Sequence, residues 1–155
     1  IIANGGYSID PTLIKNKIRN KREKILSDDV SKKILPILRK IVSTKNGTAS
    51  LANVSGFEVG GKTGTAQKSI NGVYTNKKIN SFLSVFPTSR PKFVMAVMLD
   101  EPKISKDYIY HYRDGSNIKY KGTPFNTAGW TAVEVTGQII DKIGPILATK
   151  YSEVY

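Results

Sequence analysis

Cysteine is absent from this chain, which excludes disulfide bridges and thiolate metal sites and leaves its compartment open. Histidine is nearly absent: His111 stands alone, so imidazoles cannot assemble a zinc cluster, and neither a metal nor a cofactor is expected. It lies among Tyr108, Tyr110 and Tyr112, where a half-exposed packing role is the ordinary reading. No stretch approaches the ~20 consecutive apolar residues of a membrane-spanning helix, and there is no cleavable signal. Acids are scarce as well. The 12 Asp and Glu face 24 Lys and Arg, a net +12, and residues 1–45 hold 11 basic against 4 acidic side chains, +7. Such a surface could attract nucleic acid, anionic lipid or another polyanion. However, there is no RNA-binding aromatic signature and no zinc-finger spacing. The cluster Lys15, Lys17, Arg19, Lys21, Arg22 and Lys24 is interleaved with Asn and Glu, so it reads as a solvated connector, and nucleic acid is not an expected partner.

What is present suffices for one domain. At 155 residues, with 39% hydrophobic and 23% charged side chains, the chain can bury a real core and is too short for two comfortable ones. Ile1-Ile2-Ala3 before Asn4-Gly5-Gly6 reads as the tail of a helix with a glycine stop, as though cut from a longer chain. Tyr7 to Ile14 predicts a short edge strand. Ser27-Asp28-Asp29 is a helix start, a capping hydroxyl followed by acids at the positive end of the dipole. Val30, Ile34, Leu35, Ile37, Leu38, Ile41 and Val42 then recur at helical spacing, and Pro36 should kink or shorten that helix. Thr44 to Gly56 is expected to be loop. Phe57 to Gln67 is expected to be extended, and Asn71-Gly72 marks a turn within a basic excursion, Lys68 to Asn80, between strands. Ser81–Phe86 and Phe93–Leu99 flank a short Pro87–Pro91 turn and must pair antiparallel, since a parallel crossover needs about a dozen residues or more. The second strand is so continuously apolar that burial on both faces is expected. An aromatic loop over 101–122 precedes a final amphipathic helix, Asn126 to Leu147. The fold class is α+β, an antiparallel sheet flanked by helices.

Two chemistries claim the segment Val59-Gly60-Gly61-Lys62-Thr63-Gly64-Thr65-Ala66. From Gly56 it reads G-x-x-x-x-G-K-T, a phosphate loop, and Asp100-Glu101 after an apolar strand imitates the magnesium-holding end of a nucleotide hydrolase. That loop must follow a buried strand and open a helix. Here the preceding residues are small and polar, and Gly64-Thr65 onward through Gly72 is a poor helix former. From Lys62 the segment reads K-T-G-T, a substrate-binding strand of penicillin-binding transpeptidases and serine β-lactamases. In that context Lys62 on an edge strand is a fixed cation for a carboxylate, flanked by Thr63 and Thr65. Gly60, Gly61 and Gly64 are expected to let a substrate backbone approach closely.

K-T-G alone recurs by chance, but the ordered run around it does not. Gly-Gly-Lys-Thr-Gly-Thr-Ala, Ser81-Phe82, Phe86-Pro87, Arg90-Pro91-Lys92-Phe93-Val94, Asp100-Glu101-Pro102 and Ala128-Gly129-Trp130-Thr131-Ala132 closely resemble class B penicillin-binding proteins. The opening Ala3-Asn4-Gly5-Gly6 and Asn46-Gly47-Thr48 fit the same family. Ser84, where that family usually has glycine, and Val133-Glu134, where it often has Ala-Pro, depart from it.

The resemblance implies that residues 1–155 are the C-terminal part of one β-lactamase/transpeptidase-like domain of a peptidoglycan D,D-transpeptidase of the division type. Such enzymes cross-link stem peptides ending in D-Ala-D-Ala through an acyl-enzyme, and β-lactams trap the same serine. Lys62 would serve the polar network of the site and the substrate carboxylate. Thr63 and Thr65 would bind that carboxylate, Gly64 between them would belong to the same substrate-binding strand, and the Thr65 backbone N–H would supply an oxyanion-hole donor. The nucleophile motif S-x-x-K and the motif S-x-N lie upstream of K-T-G in the family. Ser89-Arg90-Pro91-Lys92, Ser116-Asn117-Ile118-Lys119 and Ser69-Ile70-Asn71 all come after Lys62 and read as decoys. By the same likeness the parent protein would be anchored in the bacterial inner membrane, act on its periplasmic face, and meet cell-division or elongation proteins. The chain alone is expected to self-associate through an unpaired strand edge. A non-catalytic binding or scaffold module on the same fold stays open as the other class.

Overall fold

The computed structural model describes residues 1–14, 22–122 and 125–151. Its centre is a three-stranded antiparallel sheet ordered β1-β2-β3, made of Gly60–Ile70, Val73–Phe86 and Phe93–Asp100. The turn joining the first two strands has Asn71 at φ 51° and Gly72 at φ 80°, the left-handed pair that matches the twist of a tight hairpin. The hairpin is therefore longer than the sequence suggests. Lys68 to Asn80 is largely ladder rather than an excursion: Val73 and Tyr74 pair with Ile70 and Ser69, and Lys78 to Asn80 with Gln67 to Thr65, so pairing with β1 carries polar residues that show no strand pattern of their own. Val85 pairs with Val94 and Phe82 with Val97 across the second hairpin, so the antiparallel expectation holds.

Helix α1, Asp28–Ser43, begins as predicted, with the Ser27 hydroxyl accepting from the Val30 N–H at 3.4 Å and two acids in its first turn. Pro36 lies inside it without ending it, and Ile37 is exposed rather than buried. Helix α2, Ala132–Lys150, starts later than expected because a 3-10 turn, Ala128–Trp130, precedes it. Tyr7 to Ile14 is not a strand. Only Tyr7 bridges, to Lys24, since Pro11 and the polar residues around it support no ladder. Lys15, Lys17, Arg19 and Lys21 lie outside the described residues, while Lys24 is ion-paired to Asp28 at 2.8 Å. At the chain's start Gly5, φ 77°, does terminate a short 3-10 turn, Ile2–Asn4.

One face of the sheet carries Phe82 and Phe86, both essentially fully buried, with Val133 and Ile140 of α2 in the same cluster. Burying each such side chain contributes about 1.5–3 kcal/mol. The other face is open over β3. Val94 is 67% and Met98 71% exposed while Met95, Val97 and Leu99 pack on the core, so β3 alternates instead of being buried on both sides. Thr44 to Gly56 is more than loop. Ala49, Leu51, Ala52 and Val54 are core residues, carried by a 3-10 turn at Ser50–Ala52 whose small side chains hid it from periodicity. Residues 101–122 contain a further hairpin, β4 (Ile109–His111) and β5 (Lys119–Lys121), in which Tyr110 is buried and His111 exposed rather than half-packed.

Candidate substrate strand

Lys62, Thr63, Gly64 and Thr65 stand together on β1, which lies at an edge of the sheet because β2 occupies its other side. Strand continues through Ile70 and no helix opens after Thr63, so the phosphate-loop geometry is absent. Asp100 ends an antiparallel strand and is ion-paired to Lys68 at 3.0 Å, which removes it from any magnesium-holding role of the nucleotide reading.

Strand alternation separates the motif into two sides. Lys62 pairs with Leu83 and shares the open face, whereas Thr63 and Thr65 pair with Phe82 and Asn80 on the α2 face. The Lys62 ammonium is exposed, donates to the Thr63 carbonyl at 2.8 Å, and is in no ion pair among the described residues. The two hydroxyls are placed by neighbours that sequence reasoning did not single out for chemistry. Thr63 lies 3.4 Å from the Thr48 hydroxyl, and Thr65 accepts from the backbone N–H of Ala128 at 3.0 Å. Only the chain order of Asn46-Gly47-Thr48 and Ala128-Gly129 around K-T-G hinted at this meeting.

Gly60 and Gly61 serve packing more than substrate approach. A Cβ on Gly60 would sit 3.0 Å from the Arg39 backbone nitrogen of α1, and one on Gly61 would come within 2.6 Å of the Phe82 ring. Gly60 and Gly61 are buried, so helix and ring occupy the space that a substrate was expected to use. Arg39 donates to the Val59 carbonyl at 2.8 Å, and its partial burial lowers the pKa of the guanidinium. Beside it Glu58, in a left-handed conformation at φ 44°, accepts from the Ser89 N–H at 3.1 Å. Hydrogen bonds from Ser89 hold its carboxyl below the usual range. These two residues fix the strand just before the motif.

Behind Thr65 lies a polar network. Asn80 is fully buried, and its amide donates to the Asn126 side-chain oxygen at 3.1 Å and the Thr131 hydroxyl at 2.9 Å. Its own oxygen has no partner among the described residues, a situation that costs about 1–3 kcal/mol in a dry site. At the far end of β1, Lys68 also reaches Glu101 at 2.8 Å, and hydrogen bonding to that carboxylate raises the lysine's pKa.

The three serine motifs after Lys62 have no helical setting. Ser89 is in the β2–β3 connection, Ser116 in the β4–β5 connection, and Ser69 in strand at the end of β1. A serine–lysine pair one helical turn apart cannot form at any of them.

Known proteins are similar to this chain in sequence and fold. The family model of the penicillin binding protein transpeptidase domain matches residues 1–118. A probable peptidoglycan D,D-transpeptidase FtsI of Caulobacter vibrioides is 31% identical over 96% of this chain, which spans 25% of that relative's length. The apo transpeptidase domain of penicillin-binding protein 3 from Burkholderia pseudomallei superposes with a TM-score of 0.67 at 25% identity, covering 94% of this chain and 39% of that one. Penicillin-binding protein 3 from Mycobacterium tuberculosis shares the fold, with a TM-score of 0.68 at 22% identity over 92% of this chain and 33% of its own. An edge strand bearing K-T-G-T, a match over most of the chain and the same fold in solved transpeptidase domains lead to one assignment: this chain belongs to the penicillin-binding protein transpeptidase family.

Proposed function

We propose that this chain is the substrate-strand portion of a peptidoglycan D,D-transpeptidase, with residues 1–155 lying in a single transpeptidase domain. The observation that carries the reading is a lysine ammonium, Lys62, in no ion pair among the described residues, on an edge strand where the Thr65 hydroxyl is already oriented by the Ala128 N–H. A stem peptide ending in D-Ala-D-Ala lies along the outer edge of β1, as an added strand would. Its terminal carboxylate meets the Lys62 charge and the Thr63 and Thr65 hydroxyls, while the Thr65 N–H faces the oxygen that becomes negative during acylation. The attacking serine comes from a helix start elsewhere in the intact protein, because no serine motif after Lys62 has that setting. Charge on the ligand explains the choice of lysine: a charge-assisted hydrogen bond contributes about 1.5–3 kcal/mol, more than a neutral one.

Extracytoplasmic action on cell-wall peptides, a membrane anchor and division-protein partners follow from the same family reading. Among the described residues no helix is long and apolar enough to cross a membrane. The test is labelling of the intact protein with a fluorescent penicillin. Wild type labels on one serine outside the 69–119 motifs, and Lys62→Ala lowers the second-order labelling constant roughly 10- to 100-fold at unchanged melting temperature. Labelling at Ser69, Ser89 or Ser116 would overturn the placement of the nucleophile outside these motifs, and no labelling at all would defeat the transpeptidase assignment and favour a non-catalytic module.

A further inference from the structure

We propose that Asn80 is a positioning residue: its buried amide clamps the 126–131 turn so that Ala128 N–H fixes the Thr65 hydroxyl with its proton free to donate. This rests on the transpeptidase reading of the strand. Asn80 and Thr65 are cross-strand partners on the same face of the sheet, yet their side chains are linked indirectly. The Asn80 amide donates at 3.1 Å to Asn126 and at 2.9 Å to Thr131, the two residues that bracket the turn. Asn126 spends its own amide N–H on the Pro102 carbonyl at 2.7 Å, so its oxygen is the atom left to face Asn80. Thr131 in turn donates to the Thr127 carbonyl at 3.0 Å, closing the turn on itself.

The consequence is directional. A threonine hydroxyl has one proton and two lone pairs. At Thr65 one lone pair accepts from the Ala128 N–H at 3.0 Å, and the proton stays available to an anionic acceptor. Without that amide, the hydroxyl would be free to rotate and turn a lone pair toward a carboxylate, which repels it. A fully buried asparagine is an unusual choice opposite a strand threonine, since an apolar residue would fill the place without leaving an oxygen unpartnered. Clamping the turn accounts for it.

The experiment is a double-mutant cycle in the intact protein, read by the second-order constant for fluorescent-penicillin acylation. Asn80→Ala should lower the constant roughly tenfold when Thr65 is present, the effect of one ordinary hydrogen bond, and less than about twofold in a Thr65→Val background. Thr131→Val, nearly isosteric, should lose several-fold with the same dependence on Thr65, and carries the test if Asn80→Ala folds poorly. Amide hydrogen exchange at Ala128 should accelerate in both variants. Equal losses with and without the Thr65 hydroxyl would show a merely structural role and overturn the inference. So would unchanged Ala128 exchange, whether or not penicillin reacts. A wild-type protein that never acylates would instead overturn the transpeptidase reading, while the Ala128 exchange would still decide whether Asn80 holds the turn.

Discussion

Glu134 is among the most consequential residues that the sequence concealed. It is 3% exposed, and both its oxygens accept from Arg113 at 2.9 Å, while Tyr108 donates to it at 3.2 Å. Arg113 also donates to the Leu51 carbonyl at 3.1 Å, so the pair ties the 101–122 region to α2 and to the 3-10 turn below Thr48. Removing one partner strands the other. Glu134→Ala is expected to cost about 3–5 kcal/mol, because the Arg113 side chain, 9% exposed, would lose its hydrogen-bonded counterion and keep only the weaker field of Asp141. The double change Arg113→Met with Glu134→Leu should recover most of that loss, and denaturant unfolding of the three variants measures it. Comparable instability of the single and double variants would mean that the pair is not an isolated electrostatic unit. Local pattern could not reveal this contact, since Arg113 and Glu134 are far apart in sequence and each alone reads as a surface charge. Lys62 and Thr65 were legible for the opposite reason, that their chemistry is written in consecutive residues. Asn80 had no such signature, because its role depends on a turn that arrives from beyond residue 125.

Among elements, α1 offers the clearest internal conflict. Its cap and acidic first turn follow the sequence rules, yet Pro36 sits at its ninth position, exposed, and denies the Lys32 carbonyl its helical donor. A proline in a helix interior costs about 3 kcal/mol relative to alanine. Pro36→Ala should therefore raise stability by about 1–3 kcal/mol, part of the gain being offset because the unfolded chain regains freedom. Thermal unfolding checks this, and an unchanged or lower melting temperature would show that the packing of Leu35 and Leu38 depends on the proline's distortion. The helices and the two sheet hairpins could be read because capping, turn residues and apolar periodicity are local signals. Their extents could not. β2 begins at Val73 because pairing with β1 recruits polar residues that have no strand pattern of their own, and α2 begins at Ala132 because Ala128 is committed to Thr65. Tyr7 to Ile14 failed for the same physical reason: an alternating pattern makes a strand only where a partner accepts its hydrogen bonds.

For the whole molecule, the decisive quantity is apolar surface set against charge. Leu83, Val94 and Met98 are 57%, 67% and 71% exposed, and they lie on neighbouring strands on one face, in register or nearly so. Ile1, 50% exposed, and Leu38 rim the same hollow. Beside this face β3 ends the sheet, with no strand on its outer side among the described residues. Flat apolar edges of this kind pair with copies of themselves. Opposing that is a net charge of +12, which repels a second molecule at low ionic strength. Screening settles the balance: the Debye length falls from about 30 Å at 0.01 M salt to about 8 Å at 0.15 M, while the apolar attraction is hardly changed. The 155-residue chain on its own is thus expected to sediment as a monomer in low salt and to associate as salt rises. Val94→Lys with Met98→Lys, both on the open face of the edge strand, should keep it monomeric throughout. A wild-type chain that stays monomeric at high concentration and physiological salt would show that this face needs no cover, and that the β3 edge is already protected.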